Sequence, residues 1–411
     1  MAASVQTTTN ALWAVLKELG WSHTQLVAAL RREAIRQGVT LPTTQSLLTL
    51  ISRWVNNHQQ PNDFYRALLS SATGWPRAEL FSDEPELILL ASGPSSGIVS
   101  AVPDVFGSER SSRPRHISEA AVRNLEEITA AYRRLYHTEA ALDLIGDVVQ
   151  HTQTTRGFWL RTEDPVLRHR LAATTSEIAM LAGRMSFFDL GRTSAADPFY
   201  GIALEAAQAA HDPALEAVAL GNRSFILRNS GSTSQALTLL HRAEDLAADL
   251  PAIHSWATAL EAMTQAWAHR PDESLAAAEL AERILGDARP DERPAWFNYY
   301  DHSRLLGFRG LIHLRLDQTH AAHGILEEAI ASLNPDAAKQ RACYLADRAT
   351  VYVNEGEIEE ACKLGMDALR ILQDVEYATG VQRVRALRGR LRPYGGCAAV
   401  ADLTDQLLLV S

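Results

Sequence analysis

The sequence contains few cysteines and no long apolar run. Three cysteines occur in 411 residues (Cys343, Cys362 and Cys397), and no two of them form a CxxC pair. This spacing supports neither a disulfide framework nor a zinc site. No apolar run reaches the roughly 18 residues that a membrane-spanning helix needs. The N-terminal "MAASVQTTTN" lacks a basic stretch followed by an apolar segment. We therefore expect a soluble, cytoplasmic protein without a membrane partner.

The sequence also lacks the patterns of β-strands and of common active sites. It has no sustained period-2 alternation, and Ala and Leu dominate a composition that is 46% apolar, which favours an all-α fold. No HExxH or Cys/His nucleophile pattern occurs. The segment "GPSSG" (93–97) matches GxSxG in its letters but has no strand-to-helix context, and it lacks the GKS or GKT ending of a phosphate loop. His313, His320 and His323 lie near one predicted turn without a completing ligand. We expect no enzyme activity, no metal and no cofactor.

Positive charge is scarce and unevenly placed. The net charge is −10, yet residues 1–80 carry seven Lys/Arg against four Asp/Glu, so this segment is +3 and the remainder is −13. A weakly basic head on an acidic body suits a DNA-binding head joined to a sensing or partner-binding body. Seven basic residues in eighty do not form a strong patch, so this distribution permits DNA binding without requiring it.

Residues 1–81 contain four short amphipathic patterns that predict a small helical domain. The third, "TTQSLLTLISRWV", places Leu47, Leu50, Ile51 and Trp54 on one helical face. Residues 82–116 follow and are rich in Ser, Gly and Pro, which predicts a linker.

Residues 117–411 contain a repeated pattern. In each repeat, a predicted turn residue is followed by small or packed residues five and twelve positions later. The predicted turn residues are Gly191, Gly231, Pro271, Asp317 and Gly356. Their separations of 40, 40, 46 and 39 positions, with two helices per unit, predict an α-solenoid. The insert "GDARPDERP" accounts for the longest separation. The alternative is an irregular helical bundle rich in Ala.

The segment "ISRW…NNHQQPNDFYRALLSSATGWPRAEL" resembles the helix-turn-helix of Xre-type bacterial transcription regulators, and "AWFNYYDHSRLLGFRGLIHLRLDQTHAAHGILEEAI" is similar to the tetratricopeptide-like body fused to such heads. The resemblance implies an N-terminal helix-turn-helix domain followed by a tetratricopeptide-like α-solenoid that binds a small molecule or short peptide, or that dimerises. The family has Glu-Asn-Gly-His-Arg where this chain has residues 55–59, "VNNHQ". The family also commonly has Lys or Arg inside the third helix, where this chain has Leu48 and Thr49. Because two or three cations are missing, a single head should bind weakly and a homodimer is expected.

Under this resemblance the outward face of the third helix would contact double-stranded operator DNA. Gln45 could pair with adenine, Arg53 with guanine or a phosphate, and Thr49 could touch a thymine methyl. The alternative is that these groups form an ordinary solvated face. The predicted DNA-contacting residues are Thr44, Gln45, Ser46, Thr49, Ser52 and Arg53, with Arg31, Arg32 and His58 as further phosphate contacts.

In tetratricopeptide geometry the first helix of each unit lines the concave surface. Fixed offsets from the turn residues select amides, arginines and one aromatic residue, which could hold an extended peptide and its carboxylate. The predicted ligand residues are Phe225, Arg228, Asn229, Glu261, Gln265, His269, Arg304, Arg315, Thr350 and Asn354. The basic stretch "RVRALRGRLRPY" (383–394) is instead interpreted as the solvated face of a terminal helix.

Two functions follow from these patterns. The first is a DNA-binding transcription regulator whose body senses a ligand. The second is an interaction or adaptor protein whose helix-turn-helix no longer binds DNA. The small number of basic residues in 43–61 favours this second function.

Overall fold

A computed structural model describes residues 11–19, 21–36, 41–55, 61, 63–73, 75, 80, 117–289 and 293–410. Every regular element in these ranges is a helix, and the elements fall into two compact units, here called the head (11–80) and the body (117–410). The all-α prediction is confirmed. The predicted linker, 82–116, and His58 lie outside the described residues, and the predicted domain boundaries remain predictions.

Four helices of the head have both ends within the described residues: α1 (Ala11–Leu19), α2 (His23–Arg36), α3 (Thr44–Val55) and α4 (Asp63–Thr73). Ser22 begins α2 with a capping box, because its N–H donates to Gln25 Oε1 at 2.7 Å while its Oγ accepts from the Gln25 N–H at 3.3 Å. Thr43 caps α3 in a similar way and accepts from the Ser46 N–H at 3.3 Å.

The core of the head is the apolar stripe expected from the sequence. Leu47 and Ile51 are fully buried and Trp54 nearly so, and they pack with Leu26 and Leu30 of α2. Leu50, expected in the same stripe, is only half-buried. The remaining polar positions of α3 are therefore left on its outer side.

The body contains fourteen α-helices, a π-helical turn at Met185–Asp189 and a 3₁₀ turn at Arg392–Tyr394. In chain order the helices are α5 (Glu119–Leu135), α6 (Ala141–Trp159), α7 (Pro165–Arg184), α8 (Thr193–Ala209), α9 (Pro213–Asn229), α10 (Thr233–Leu246), α11 (Pro251–Trp267), α12 (Pro271–Gly286), α13 (His302–Arg315), α14 (Thr319–Ser332), α15 (Ala338–Glu355), α16 (Ile358–Asp374), α17 (Ala378–Arg390) and α18 (Ala398–Val410). None of the described helices is long and apolar enough to cross a membrane.

Helices α7 to α18 form six consecutive pairs, and each first helix packs against its own second helix and against the first helix of the next pair. The turns inside the first five pairs contain a residue with positive φ: Gly191, Gly231, His269, Asp317 and Gly356. In four of these turns the next N–H bonds back to a carbonyl five residues earlier, as in Ser232 to Leu227 at 2.8 Å and Glu357 to Tyr352 at 2.9 Å. After Gly191, where the helix ends in the π-helical turn, the bond runs six residues back. Four of the five first helices therefore end in the same geometry.

The third turn was assigned two residues too late from the sequence. Pro271 is the first residue of α12, whereas the left-handed turn residue is His269. Prolines are common at this first helical position, so Pro271 marks the start of α12 and not the turn itself. The observed separations are 40, 38, 48 and 39 residues. The interval of 48 residues contains the insert "GDARPDERP". Phe297 and Tyr300, which follow the insert, are buried in the core.

With this register the small-residue pattern holds in all five pairs. Five positions after the turn residue lie Ala196, Ala236, Ser274, Ala322 and Ala361, and twelve positions after it lie Ala203, Ala243, Ala281, Ala329 and Ala368; all are fully buried. Ala276, chosen from the earlier register, is exposed. The segment "TSAADPFY" after Gly191 would suggest from the sequence an insertion that displaces the second helix, but Ala196 and Ala203 keep the register there. Small side chains are required at these positions because the paired helices cross closely there. The α-solenoid prediction is confirmed.

Candidate ligand cavity and candidate DNA face

The inner sides of the first helices enclose a cavity of about 390 Å³. The π-helical turn and helices α9, α11, α13, α15 and α17 contribute most of its lining. Arginines and aromatic rings dominate this lining. The arginines are Arg184, Arg228, Arg304, Arg315, Arg383 and Arg390. The aromatic residues are Phe187, Phe188, Phe225, Trp256, Trp267, Tyr299, Phe308, Tyr344 and Tyr377. Asp347 is the one acidic residue among the described residues that line it.

Along one side of the cavity, arginines alternate with aromatic rings of successive helix pairs. The Arg228 Cζ atom lies 4.9 Å from the centroids of both the Phe225 and Trp267 rings. The Arg315 Cζ atom lies 5.2 Å from the same Trp267 ring. We call these four residues the arginine–tryptophan ladder. Cations at such distances from aromatic faces are attracted to them, so the ladder holds the two guanidinium groups in place.

The guanidinium group of Arg228 is held in an unfavourable environment. Burial, together with the nearby positive charge of Arg383, lowers the pKa of Arg228 to about 10. Its Nε atom is buried without a hydrogen-bond partner among the described residues. A charged group with a strongly lowered pKa in a cavity is typical of a binding site, because a ligand of opposite charge would compensate it.

Arg383 is the one arginine of the cavity that is neutralised by a carboxylate. It forms an ion pair with Asp347, whose side chain is almost completely buried. Burial raises the pKa of Asp347 above its usual value, although the positive charge of Arg383 opposes that rise. Arg390, about two helical turns further along α17, donates to Asn354 Oδ1 at 3.0 Å.

The opposite part of the lining combines tyrosines with Arg184 and Arg304. The Arg184 Cζ atom lies only 3.7 Å from the centroid of the Tyr299 ring. Burial raises the pKa of both Tyr299 and Tyr344, so these phenols are neutral hydrogen-bonding groups. Gly307 is required here because a Cβ atom at that position would lie 2.0 Å from the Tyr344 ring. The missing side chain lets α15 approach α13.

Six of the ten predicted ligand residues line the cavity. These six are Phe225, Arg228, Asn229, Arg304, Arg315 and Thr350. Asn354 lies beside it as the partner of Arg390. Placement in the cavity agrees with the predicted role but does not test it.

Glu261, Gln265 and His269 do not line the cavity, so the structure does not bring them together with the other predicted ligand residues. The two-residue error at the third turn caused this, because the same offsets counted from His269 select Trp256, Met263 and Trp267, which do line it. Gln265 instead donates to Glu261 Oε1 at 3.3 Å, and His269 occupies the turn.

Glu261 belongs to a separate cluster with His241 and Glu244. One potential ligand atom of each residue lies within 4.8 Å of the others, a spacing at which a metal ion could be held, although the sequence predicted no metal site. The histidines considered in the sequence have other neighbours: His313 Nδ1 lies 2.5 Å from Gln318 Oε1, and His323 Nδ1 lies 3.2 Å from Glu355 Oε1.

Several lining residues were missed from the sequence. Arg383 and Arg390 were assigned to a solvated face of residues 383–394, whereas both face the cavity. Arg184, Phe187 and Phe188 were missed because no ligand residues were selected from the pair that contains Gly191, although the fixed offset of three positions before that turn falls on Phe188. Only a correct turn register would have identified Trp256 and Trp267.

In the head, the candidate DNA face is partly exposed. Thr44, Ser46, Arg53 and Arg32 are exposed, and Ser52 is half-buried. The backbone of Gln45 and Thr49 belongs to α3, and their side chains lie outside the described part of the structure.

Arg31 makes bonds within the head and is not a freely extended phosphate contact. Its Nη2 atom donates to the Pro42 carbonyl at 3.1 Å and to Thr44 Oγ1 at 3.2 Å. These bonds attach α2 to the beginning of α3. They leave Arg53 and Arg32 as the exposed cations of the candidate face.

Comparisons with known proteins identify no family for this chain. No family model matches it, and no curated protein matches it. Among solved structures, the chain matches the crystal structure of BtubC (BKLC) from P. vanneervenii at 16% sequence identity and a TM-score of 0.40; the match covers 57% of this chain and 91% of that one.

Proposed function

We propose that this protein is a DNA-binding transcription regulator whose body binds a small effector in the inner cavity. The observation that carries the proposal is the cavity itself, which the repeated first helices surround. It is lined by aromatic rings and by six arginines, of which only Arg383 has a carboxylate partner among the described residues. Cavities of roughly 300–1,000 Å³ with a few convergent polar groups are typical binding sites for small molecules. In the same chain the head resembles the helix-turn-helix of Xre-type regulators, so a receptor is joined to a DNA-binding unit.

The proposed mechanism is a population shift. An effector in the cavity contacts five successive first helices, so it favours one curvature of the solenoid over another. In a homodimer, a change of curvature alters the distance between the two heads. Two heads bind adjacent half-sites only when their α3 helices lie about 34 Å apart, one turn of DNA. The effector would therefore control operator affinity without touching the DNA.

DNA binding is tested by fluorescence anisotropy with labelled genomic fragments in low salt. Wild-type protein should bind a subset of fragments, and Arg53→Ala should weaken this binding at least about fivefold, because a good arginine–guanine contact contributes roughly 1–3 kcal/mol. Arg168→Ala removes the same charge from an exposed position on α7 and should leave affinity unchanged. Equal affinity of the wild-type and Arg53→Ala proteins for every fragment would refute the proposed contact.

The adaptor function has one supporting observation, the bonding of Arg31 within the head. If the full chain binds none of the fragments even at about 50 mM salt, where phosphate contacts are strongest, the adaptor function replaces the regulator.

A further inference from the structure

We propose that the effector of the inner cavity is a compact organic dianion in which a flat aromatic ring carries a doubly charged acidic group. A phosphate monoester or a pair of carboxylates would supply the same charge. The assignment rests on the proposed function only in taking the cavity as a ligand site. It specifies the chemistry of the ligand from the charges and rings that line that site.

The charge of the lining is strongly unbalanced. Six arginines face one aspartate, and that aspartate is already paired with Arg383. None of the other five forms an ion pair with a carboxylate in the described parts of the chain. Elsewhere in the body, arginines such as Arg170 and Arg309 do pair with glutamates, at 2.7 and 2.5 Å. The excess of positive charge is therefore concentrated in the cavity, where an anionic ligand would compensate it.

Helix dipoles account for only part of this arrangement. Arg228 and Arg315 lie in the last turns of α9 and α13, where the negative end of a helix favours cations. Arg304 lies instead in the first turn of α13, whose positive end disfavours a cation. Asp301 caps this helix through the Arg304 N–H at 3.0 Å, without an ion pair to the guanidinium group. Neither the helix dipole nor an ion pair thus compensates the Arg304 guanidinium group, which an anionic ligand in the cavity would do.

The aromatic rings determine the other part of the ligand. Phe188 lies 4.8 Å from Phe187 and 5.1 Å from Phe225, both in edge-to-face contact, so these rings form a firm apolar wall. The ladder lies next to it and presents Trp267 between two guanidinium groups. A flat ring would stack on such surfaces, while its acidic group would reach the arginines.

The size and enclosure of the cavity favour a compact molecule over an extended peptide. A volume of about 390 Å³ lies near the lower end of the range for drug-sized ligands, roughly 300–1,000 Å³. Thr379 Oγ1 also donates to the Phe188 carbonyl at 2.9 Å, which joins α17 to the π-helical turn and closes one side of the cavity.

The first test measures binding to the full chain by titration calorimetry. The probes are 1-naphthyl phosphate, naphthalene-2,6-dicarboxylate, 1-naphthol and inorganic phosphate. One or both naphthalene dianions should bind at least tenfold more tightly than 1-naphthol and inorganic phosphate, and the tighter of the two identifies the acidic group. If 1-naphthol or inorganic phosphate binds as tightly as the dianions, the inference is wrong. No dianion binding below 1 mM, or tighter binding of an acidic hexapeptide, would also overturn it.

The second test locates the binding. Arg228→Met and Arg304→Met should each weaken dianion binding at least tenfold and leave the weak binding of 1-naphthol unchanged. Arg283→Met, at an exposed position of α12, removes the same charge outside the cavity and should have no effect. Trp267→Leu should weaken the binding of the naphthalene dianions and of 1-naphthol. This variant provides a second measurement if an arginine variant misfolds. Unchanged dianion affinity in all three cavity variants would refute the site. The titrations contain no DNA, so their outcome is independent of the DNA-binding assay.

Discussion

The Lys339 Nζ atom lies 2.5 Å from Asp189 Oδ1, although 150 positions separate the two residues. Asp189 is the last residue of the π-helical turn, and its side chain is completely buried. Tyr136 donates to its second carboxylate oxygen at 2.9 Å. Lys339 belongs to α15, so the pair connects the beginning of the row of first helices to a later part of it. Together with the bond from Thr379 to Phe188, it closes the row around the cavity.

Lys339→Met should destabilise the body strongly, by about 3–5 kcal/mol in the free energy of unfolding, because it leaves a buried carboxylate without its cation. Burial already raises the pKa of Asp189, although Lys339 opposes this, and loss of Lys339 should raise that pKa further. A carboxyl group whose pKa is raised by folding contributes its stability at low pH and loses it as pH increases through the raised value. The destabilisation should therefore increase from pH 5 to pH 8 in urea unfolding.

The matched control is the double variant Lys339→Met/Asp189→Asn, which removes both charges. It should recover part of the lost stability, and its unfolding free energy should lack the added pH dependence. If Lys339→Met is as stable as the wild type, or if its loss of stability does not change with pH, the ion pair between Lys339 and Asp189 does not stabilise the contact between α15 and the π-helical turn.

Gly307→Ala should perturb both the packing and the cavity. Its Cβ atom would lie within 2.0 Å of the Tyr344 ring, which itself lines the cavity, so α15 must shift. We expect a loss of about 1–3 kcal/mol, as in other overpacked cores. Gly324→Ala is the control, because nothing lies within 4 Å of a Cβ atom there and alanine favours the helix. Thermal unfolding should show a lower Tm for the first variant and an equal or higher Tm for the second; the reverse order would contradict the packing.

Glu244→Gln should stabilise the protein at alkaline pH. Burial and the adjacent Glu261 carboxylate raise the pKa of Glu244 to about 8. The unfolded value lies near 4.3, so folding favours the protonated form, and wild-type stability should fall as pH rises from about 4.3 to about 8. The neutral amide avoids this loss. Its Tm advantage over the wild type should be small at pH 5 and largest at pH 9.

Glu279→Gln, at an exposed position of α12, is the control for this substitution and should show no such trend. An advantage that is constant between pH 5 and pH 9 would show that ionisation of Glu244 does not limit stability.

A pair of alanine substitutions tests the corrected register of the third helix pair. Ala281 is fully buried twelve positions after His269, whereas Ala276 is exposed. Ala281→Leu should cost about 1–3 kcal/mol through overpacking, and Ala276→Leu should change stability by less than about 0.5 kcal/mol. Chemical denaturation of the two variants measures both values. A larger loss of stability for Ala276→Leu than for Ala281→Leu would contradict this register and support the one counted from Pro271.

The repeated small residues made the solenoid predictable, because helix crossings restrict side-chain size at fixed positions. The third register was not predictable in the same way. Its turn is formed by His269 in the left-handed conformation, where glycine is the usual residue, and the proline two positions later is a common marker of a boundary.

The same reasoning explains which part of the cavity could be predicted. Arg228, Arg304 and Arg315 belong to pairs whose turns were assigned correctly, so fixed offsets located them. Phe188 lies three positions before Gly191, where the same offsets would have located it. Arg184 lies at none of these offsets, just before a π-helical turn that no residue pattern announces. Arg383 depends on contacts between segments far apart in the chain, since its partner Asp347 is 36 positions away.

The central claim is that the full chain recognises double-stranded DNA as a dimer, and selection from a randomised DNA library tests it most directly. The wild-type chain should enrich an inverted repeat whose half-sites lie one helical turn apart, about 10 base pairs. Arg53→Ala should change or abolish the preference at one position of each half-site. Failure to enrich any sequence above the input library would contradict the claim.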